Sequence, residues 1–371
     1  MLKAIKFRLY PTNLQKVELG QTFGCVRWVY NKCIEVKSKA WEVEKKNISR
    51  YELSSVLTKW KKEELTLWLK EVNSQSLQQA IANLDSAYSK FFKKTGGFPK
   101  FKSKFGKQSF SVPAQCFLLE DAIKIPKIGV IKAEVHRQVT GEVRSMTISK
   151  TTTGKYFVSI LLKTEDELPE KLPTTEAGTV GIDLGLTHFA TLSTGDKIEN
   201  PRYLRKRLRK IKVAQRRLSK SKKGSKNRDK KRWKVAVLHE KVTNCRNDFL
   251  HKLTSRLVND NQVDSFAIED LAVSNMVKNH CLALSISDVG WSEFRRQLTY
   301  KAERLGKNVL VIGRFEPSSK TCSCGLKKTD LKLRDRVWTC SCGLTHDRDL
   351  LAASNIKKWA LHPQHKLLGL E

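Results

Sequence analysis

The order of apolar and polar residues divides the first hundred positions into one strand and two helical regions. Residues 5–9 alternate between apolar and basic side chains, which predicts a half-buried strand that ends at Pro11. From 13 to 61 apolar residues recur every three to four positions, and the same helical spacing covers 74–94. A glycine–proline break at 96–99 ends the second helical region.

The rest of the chain changes character twice. Short β-forming runs separated by turn residues over 108–165 predict a small antiparallel barrel. An acidic, proline-containing linker at 165–177 leads to a further domain that begins at Thr179. The predicted elements of that domain are strands at 179–183, 188–192, 266–269 and 308–312, and helices near 202–218, 228–258, 291–305 and 349–361. The sequence therefore predicts an α+β multidomain protein whose last domain is of the α/β class.

The net charge points to the kind of partner. The chain has 71 Lys and Arg against 37 Asp and Glu, a formal net charge of +34. Such an excess repels itself and favours a polyanionic partner. Nucleic acid fits better than a membrane, because no run of about 18 apolar residues is present to span a bilayer. The nine cysteines do not follow the disulfide framework of a small secreted protein, so a reducing cytoplasm is favoured.

The basic residues are concentrated in one segment. Residues 202–234 contain eighteen Lys and Arg and a single acid, Asp229. An apolar stripe within 204–218 predicts an amphipathic helix with a basic outer face, and that face suits phosphate binding. The candidate contacts on this helix are Arg205, Arg209, Lys212 and Arg216.

Two further segments are candidates for nucleic-acid contact. Lysines alternate with phenylalanines around 98–105, a pattern that can stack bases and hold phosphates, or can form a strand with its Phe side buried. The lysines concerned are Lys100, Lys102 and Lys104. On the preceding helix, amide side chains can read base edges or form a solvated polar face. These amides belong to Gln75, Gln78 and Gln79.

Three carboxylates occupy positions that suit metal-dependent phosphodiester cleavage. Asp183 ends an apolar strand before a hairpin, Glu269 closes a second apolar strand, and Asp349 opens the last helix. Singly, each has an ordinary alternative as a turn residue or, for Asp347 and Asp349, as a helix N-cap. Together, in this order, they describe an RNase H-like site in which hard oxygen ligands converge on two Mg²⁺ ions.

Two cysteine pairs lie between the second and third of these acids. Cys322 and Cys324 form the first pair, Cys340 and Cys342 the second, and fifteen residues separate the pairs. Four thiolates from two turns can enclose a structural Zn²⁺ tetrahedrally, and the alternative is four free buried thiols. A Gly after each pair is expected to let backbone N–H groups approach sulfur.

Four segments resemble the TnpB family of insertion-sequence nucleases, compact relatives of the type V CRISPR effectors. The segments are Gly181-Ile182-Asp183-Leu184-Gly185-Leu186, Ile268-Glu269-Asp270-Leu271, Ser318-Ser319-Lys320-Thr321-Cys322, and Asp347-Arg348-Asp349 with Ala352-Ala353-Ser354-Asn355-Ile356. The order and spacing of these segments match the family over essentially the whole chain. The segment Gly97-Phe98-Pro99-Lys100-Phe101-Lys102 is also similar to the N-terminal half of that family.

The resemblance implies a division into four parts. A wedge strand at 1–11 and a wedge β-barrel at 101–170 enclose a helical recognition insertion at 12–100. A RuvC-like nuclease domain of the RNase H fold follows at 171–371. A zinc-ribbon-like module that binds target nucleic acid is inserted in it at about 317–346.

The resemblance also assigns the site. Asp183, Glu269 and Asp349 align with the catalytic, magnesium-binding carboxylates of the family, and Asp347 is the fallback for the third acid. Two features depart from the family pattern. Leu351 stands where Asn is common, and one residue rather than two separates the cysteines of each pair.

The implied function is RNA-guided DNA cleavage with Mg²⁺ at the carboxylates, structural Zn²⁺ at the cysteines, and a guide RNA derived from the transposon end. The implied target is double-stranded DNA with a short adjacent motif, read by a monomeric protein. The implied location is the prokaryotic cytoplasm, in association with the nucleoid. Three alternatives stay open at this point: a catalytically inactive RNA-guided DNA-binding repressor, a transposase with an acidic triad, and a plain RNA-binding protein. Charge alone would serve the last equally well.

Overall fold

The computed structural model describes residues 1–332 and 335–362. Residues 333–334 of the predicted zinc-ribbon-like module and 363–371 of the predicted nuclease domain lie outside the described residues. The chain forms two compact units, Met1–Asp166 and Glu167–Glu371. Both units combine helices with sheets, as expected for an α+β protein.

The first unit contains a seven-stranded antiparallel sheet. Its strands are β1 (Leu2–Tyr10), β2 (Gln108–Val112), β3 (Phe117–Leu118), β4 (Ala122–Ile125), β5 (Gly129–Glu134), β6 (Glu142–Lys150) and β7 (Tyr156–Lys163). Their order is β2-β6-β7-β1-β5-β4-β3, so β1 lies in the centre although it is far from its neighbours in sequence. Within the described pairings β2 and β3 remain edges of this sheet, where a closed barrel would pair them.

The helices of this unit are inserted between β1 and β2. They are α1 (Asn13–Glu44), α2 (Arg50–Trp60), a 3₁₀ helix (Glu64–Lys70) and α3 (Ser74–Phe92). The helical region predicted as continuous from 13 to 61 is therefore two helices. Lys45 ends α1 with a left-handed φ of 52°, and Ser49 starts α2 with a reciprocal capping box to Glu52. Apolar periodicity continued through this break, because both helices pack on the same core as Phe7, Leu19 and Ile81.

The second unit contains a five-stranded mixed sheet. Its strands are β8 (Thr179–Leu184), β9 (His188–Leu192), β10 (Lys197–Glu199), β11 (Ser265–Glu269) and β12 (Asn308–Ile312), in the order β10-β9-β8-β11-β12. β8, β11 and β12 run parallel, whereas β9 and β10 return antiparallel. The carboxyl ends of the two central parallel strands therefore meet at one edge.

The helices of this unit lie between and after these strands. They are α4 (Tyr203–Ser219), α5 (Lys226–Val258), α6 (Val273–Met276), α7 (Ala283–Val289), α8 (Trp291–Arg304) and α9 (Arg348–Leu361), and a hairpin of β13 (Val337–Thr339) and β14 (Thr345–Asp347) precedes α9. The core beneath α5 and α8 is built around Phe189, Phe266 and Phe294, all fully buried.

The basic helix α4 receives its N-terminal cap from a distant residue. Its own N-cap, Arg202, has a left-handed φ of 48° and makes no side-chain cap bond. The buried carboxylate of Asp288 instead accepts from the backbone N–H of Leu204 at 2.9 Å and of Arg205 at 3.2 Å. Asp288 also lies 3.7 Å from the guanidinium of Arg246 on α5. One carboxylate thus fixes the start of α4 and compensates its orphan N–H groups.

In the part of the chain that the structure describes, no helix is both long and apolar enough to cross a bilayer.

Candidate active site

The register of two parallel strands places two carboxylates side by side. Ile182 of β8 pairs with Ile268 of β11, so the next residues, Asp183 and Glu269, stand at the same level at the carboxyl ends of the strands. Neighbouring strands lie about 4.8 Å apart, and residues at one level point to the same face of a sheet. Glu269 is the last residue of β11, as predicted, whereas β8 continues one residue beyond Asp183 to Leu184.

A glycine brings the third carboxylate to them. A Cβ atom on Gly181 would lie 2.0 Å from the carbonyl oxygen of Ala353 and 2.9 Å from the backbone of Lys357, both on α9. Only glycine allows the helix to cross β8 this closely. Gly181 and Asp183 share a face of β8, and Asp349 lies one turn before Ala353. The close crossing thus directs the start of α9 towards Asp183.

The charges of the three acids act on one another. Burial, followed by the negative charges of Asp349 and Glu269, raises the pKa of Asp183 to about 7, although Arg348 and Arg336 oppose the rise. Burial also raises the pKa of Glu269 to about 7, against a hydrogen bond from Ser318. Carboxyls that resist ionisation in the free protein are suited to a cation that would compensate their charge.

Asp347 and Asp349 have different surroundings. Asp347 is the N-cap of α9, accepts from the N–H of Asp349 and Leu350, and forms an ion pair with Lys197 at 2.6 Å. Asp349 instead pairs with Arg336 at 3.3 Å, and the same guanidinium donates to the hydroxyl of Thr187 at 3.1 Å. Asp347 is thus engaged by the backbone of α9 and by a lysine, whereas the charge of Asp349 acts on Asp183.

Two arginines fix the end of β11 beside Glu269. The carboxylate of Asp270 accepts from Arg295 and from Arg314, each at 2.6 Å. The two hydrogen bonds lower the pKa of Asp270, so this neighbour of Glu269 carries a firmly held negative charge. No sequence pattern indicated these pairs, because Arg295 and Arg314 lie 25 and 44 residues further along the chain than Asp270.

Asn355 connects the acids to the cysteine region. Its buried side-chain amide donates to the carbonyl oxygens of Ser318 at 2.8 Å and Thr321 at 2.7 Å. Ser318 donates to Glu269, and Thr321 directly precedes Cys322. A side chain on α9 therefore holds the loop that lies between Glu269 and the first cysteine pair.

The four predicted zinc ligands converge. Their sulfur atoms all lie within 4.8 Å of one another. The Sγ atoms of Cys322 and Cys342 are 3.7 Å apart, and those of Cys324 and Cys340 are 3.8 Å apart. Sulfurs about 2.3 Å from a tetrahedral zinc ion would be about 3.8 Å apart, so the thiol geometry fits zinc despite the one-residue spacing.

Two matching turns present these sulfurs. The N–H of Gly325 donates to the carbonyl oxygen of Cys322, and that of Gly343 donates to Cys340, each at 2.9 Å. These glycines have φ values of 93° and 89°, a conformation that other residues rarely adopt. The N–H groups of the glycines thus close the turns, and the backbone N–H groups of Leu326 and Cys342 approach the sulfurs of Cys324 and Cys340, as expected. The ring of His346 adds a contact, with Nε2 3.0 Å from the sulfur of Cys322.

Leu351 belongs to the core of this module. It is buried with Leu331, Trp338 and the two inner cysteines, Cys322 and Cys340. The position at which the TnpB family commonly has Asn is therefore used here for packing. Among residues 1–332 and 335–362, the four cysteines are the one cluster with ligand atoms this close, so the three carboxylates are spaced more widely than the thiols.

The residues predicted to contact nucleic acid lie on several surfaces. Arg205, Arg209, Lys212 and Arg216 are exposed on α4, and Lys100, Lys102 and Lys104 are exposed in a segment without helix or strand. The strand alternative for that segment is wrong, since Phe101 and Phe105 are 65% and 61% exposed. Lys102 lies over the ring of Tyr30, with Nζ 3.8 Å from the ring centroid.

The three glutamines of α3 differ in exposure. Gln78 is exposed, whereas Gln75 and Gln79 are half-buried. Gln79 donates to Asn83 at 3.3 Å, and the buried Oε1 of Gln75 has no hydrogen-bond partner within the described structure. The simple alternative of a solvated polar face therefore applies to Gln78 alone.

Sequence families match three parts of the chain. Residues 159–280 match a family described as "Probable transposase", and residues 291–356 match the "Cas12f1-like, TNB domain". Residues 1–46 match a family described as "Helix-turn-helix domain", and in this chain they form β1 and α1.

Relatives that match almost the whole chain establish the family. A protein of Streptomyces pristinaespiralis named "Putative RNA-guided DNA endonuclease" is 43% identical, over 95% of this chain and 88% of the relative. The Escherichia coli K12 protein named "Putative RNA-guided DNA endonuclease InsQ" is 34% identical, over 96% of this chain and 91% of the relative. The chain belongs to the TnpB family, as its motifs predicted.

A solved structure shares the fold at low sequence identity. In the complex of Cas12f1 with sgRNA and target DNA, the Cas12f1 chain matches with a TM-score of 0.51 and 11% identity, over 96% of this chain and 98% of that one. The mixed α+β architecture is therefore shared with a CRISPR effector.

The raised pKa values predict how stability changes with pH in magnesium-free buffer. The pKa of Asp183 is about 7 when folded, above its ordinary value of 3.8, so the folded state retains a proton that the unfolded state releases. The free energy of unfolding should fall as pH rises from 5 to 7.5, and Asp183→Asn should remove on the order of 2–3 kcal/mol of that fall. Urea unfolding at the two pH values measures it. Parallel pH dependences for the two proteins would contradict the raised pKa.

Proposed function

We propose that the chain is an RNA-guided, metal-dependent DNA endonuclease associated with an insertion sequence. The observation that carries this proposal is the convergence of Asp183, Glu269 and Asp349 at one end of the mixed sheet, with raised pKa values at the first two. Membership of the TnpB family supports the guided activity, since relatives at 43% and 34% identity are named as RNA-guided DNA endonucleases. A binding protein without catalysis would have no use for buried acids that repel one another.

The three carboxylates would hold two Mg²⁺ ions, as in a RuvC-type site. Their oxygens are hard ligands of the kind that Mg²⁺ prefers, and their mutual repulsion fits a cationic occupant. Such ions supply charge to stabilise the attacking and leaving oxygens of phosphodiester hydrolysis. Asp183 and Glu269 are held in register by their strands, and Asp270 anchors β11 through Arg295 and Arg314. Arg336 pairs with Asp349 in the free protein and would leave it when the ions bind.

The architecture proposed for the chain follows the family. We assign 1–11 and 101–170 to a wedge, 12–100 to a helical recognition insertion and 171–371 to the RuvC-like nuclease domain. The thiol cluster within 317–346 would bind structural Zn²⁺ and shape a zinc-ribbon-like module for target nucleic acid. Sulfur separations of 3.7 and 3.8 Å support that assignment.

The partners follow from the charge. A net charge of +34 suits a guide RNA derived from the transposon end together with double-stranded target DNA. Base pairing would read most of the target, and the protein would read a short adjacent motif. Exposed Gln78 and Lys100 are the candidates for contact in the recognition insertion, and exposed Arg209 is one in the nuclease domain. We propose a monomer that acts in the prokaryotic cytoplasm.

Conservative removal of each acid tests the catalytic assignment. Asp183→Asn, Glu269→Gln and Asp349→Asn should each lower the rate of target cutting by more than about a hundredfold, because a metal ligand is lost. Binding of guide RNA and target DNA should stay nearly intact, since no binding surface is altered. Cleavage of a labelled target in Mg²⁺ and a filter-binding assay measure the two properties.

Asp347→Asn is the matched control. Asparagine caps a helix as well as aspartate does, so this change removes the charge and keeps the start of α9. Cutting should therefore persist. Loss of cutting in Asp347→Asn combined with normal cutting in Asp349→Asn would show that the third acid is misassigned.

Removing two thiols tests the zinc assignment. The double variant Cys322→Ser with Cys340→Ser should lose about one zinc ion per chain and melt at a lower temperature, because the module loses its metal cross-link. Elemental analysis and a thermal scan measure both. Cys281→Ser, an exposed thiol outside the cluster, should change neither. An unchanged zinc content and melting curve in the double variant would remove zinc from this site.

A further inference from the structure

The hairpin of α4 and α5 contains a groove that the predicted contacts do not account for. It has a volume of about 710 Å³, and α4 and α5 form its two walls. Basic and apolar side chains line it, among them Arg209, Val213 and Arg217 on α4 and Trp233 on α5. Of the four α4 residues predicted to bind nucleic acid, Arg209 alone lines this groove. The inference therefore concerns a different face of the hairpin.

The groove lies on the part of the hairpin that is not packed on the core. All buried residues of α5 lie at Val242 or beyond, whereas the groove uses α5 residues 231–238. The guanidinium of Arg228 donates to the carbonyl oxygens of Leu218 at 3.0 Å and Ser221 at 2.9 Å, which ties α5 to the end of α4. This contact joins the two walls at the end of the hairpin that lies away from the core.

The charged residues that line the groove are all basic. Its described lining contains five cations and no acid. Within residues 1–332 and 335–362, none of these five cations is in an ion pair, whereas nearby Arg232 pairs with Asp229 at 2.6 Å. Cations left without acids on a protein surface suit phosphate groups. The charge of the groove therefore suits a polyanion.

The lining of the groove is partly apolar and includes an aromatic ring. Trp233 is 53% exposed and Val213 is 38% exposed, although both side chains are apolar. Duplex nucleic acid offers its phosphates to such a surface but keeps its bases stacked inside. A single strand offers phosphates and base faces together, and aromatic rings among cations are the usual means of binding both.

We infer that this groove binds unpaired nucleotides of the guide RNA, with a base stacked on Trp233 and the flanking phosphates on the surrounding cations. The inference rests on the proposed function for the identity of the RNA. Of the two nucleic acids in that function, the guide offers unpaired loops and bulges from the start, whereas the target DNA is double-stranded until it is opened.

Anisotropy of a fluorescein-labelled U₁₂ RNA, titrated with the RNA-free full-length chain, tests the site. Trp233→Ala should weaken binding about tenfold, because one stacking partner is lost, and should leave the salt dependence unchanged. Trp233→Phe should restore most of the affinity. Arg217→Ala should reduce the slope of log affinity against log salt by about 0.7–1, because one phosphate contact is lost.

Lys252→Ala is the control for charge. It removes one cation from the same helix α5, but Lys252 is paired with Asp248 at 2.8 Å and lies outside the groove. Affinity and slope should both stay near those of the parent. Melting temperatures of all variants verify folding, since every changed side chain except that of Arg217 is on α5.

Three results would overturn the inference. They are parent-like binding by Trp233→Ala, equal loss in Trp233→Ala and Trp233→Phe, or an equal tenfold effect of Trp233→Ala on dT₁₂, which would show that the groove does not distinguish RNA from DNA. The assay needs neither target nor cutting, so failure of the proposed nuclease activity would not change its outcome. Conversely, a negative result here would leave the carboxylate site untouched.

Discussion

The site depends on the close crossing of α9 over β8 at Gly181. Any larger residue at 181 would meet the carbonyl oxygen of Ala353, and α9 would have to move away from the sheet. The same helix carries Asp349 at its first turn and Asn355 at its buried face, so its position sets the third carboxylate and also the loop before Cys322. One backbone contact thus couples the acids to the thiol cluster.

The acids around this crossing form two groups, those paired with cations and those whose pKa values are raised. Asp347 and Asp270 are satisfied by Lys197 and by Arg295 with Arg314, so these acids stabilise the structure. Asp183 and Glu269 have raised pKa values because they are buried near further negative charge. The protein therefore spends stability to hold acids together where the proposed Mg²⁺ ions would bind, a pattern typical of functional sites.

Features defined by neighbouring residues could be predicted from the sequence, whereas contacts between residues distant in the sequence could not. Asp183 and Glu269 each end a short apolar run, and a run of that kind determines both the strand and the level at which the acid stands. The cysteine pairs and the start of α9 are likewise defined by neighbouring residues in the sequence. The pairing of Arg336 with Asp349, the cap that Asp288 supplies to α4, and the groove around Trp233 join positions far apart, so no periodicity could reveal them. The apolar periodicity also failed to predict the break at Lys45. Periodicity shows which face of a helix is buried, but it does not show where the backbone leaves the helix.

The most direct test of guided cleavage is to purify the chain from cells that also express its native flanking DNA, and to sequence the RNA bound to it. Guided cleavage requires one discrete RNA that ends in a segment copied from the flank, and replacing that segment should redirect Mg²⁺-dependent cutting to the matching DNA. Heterogeneous RNA, no RNA, or cutting that ignores the replaced segment would contradict it.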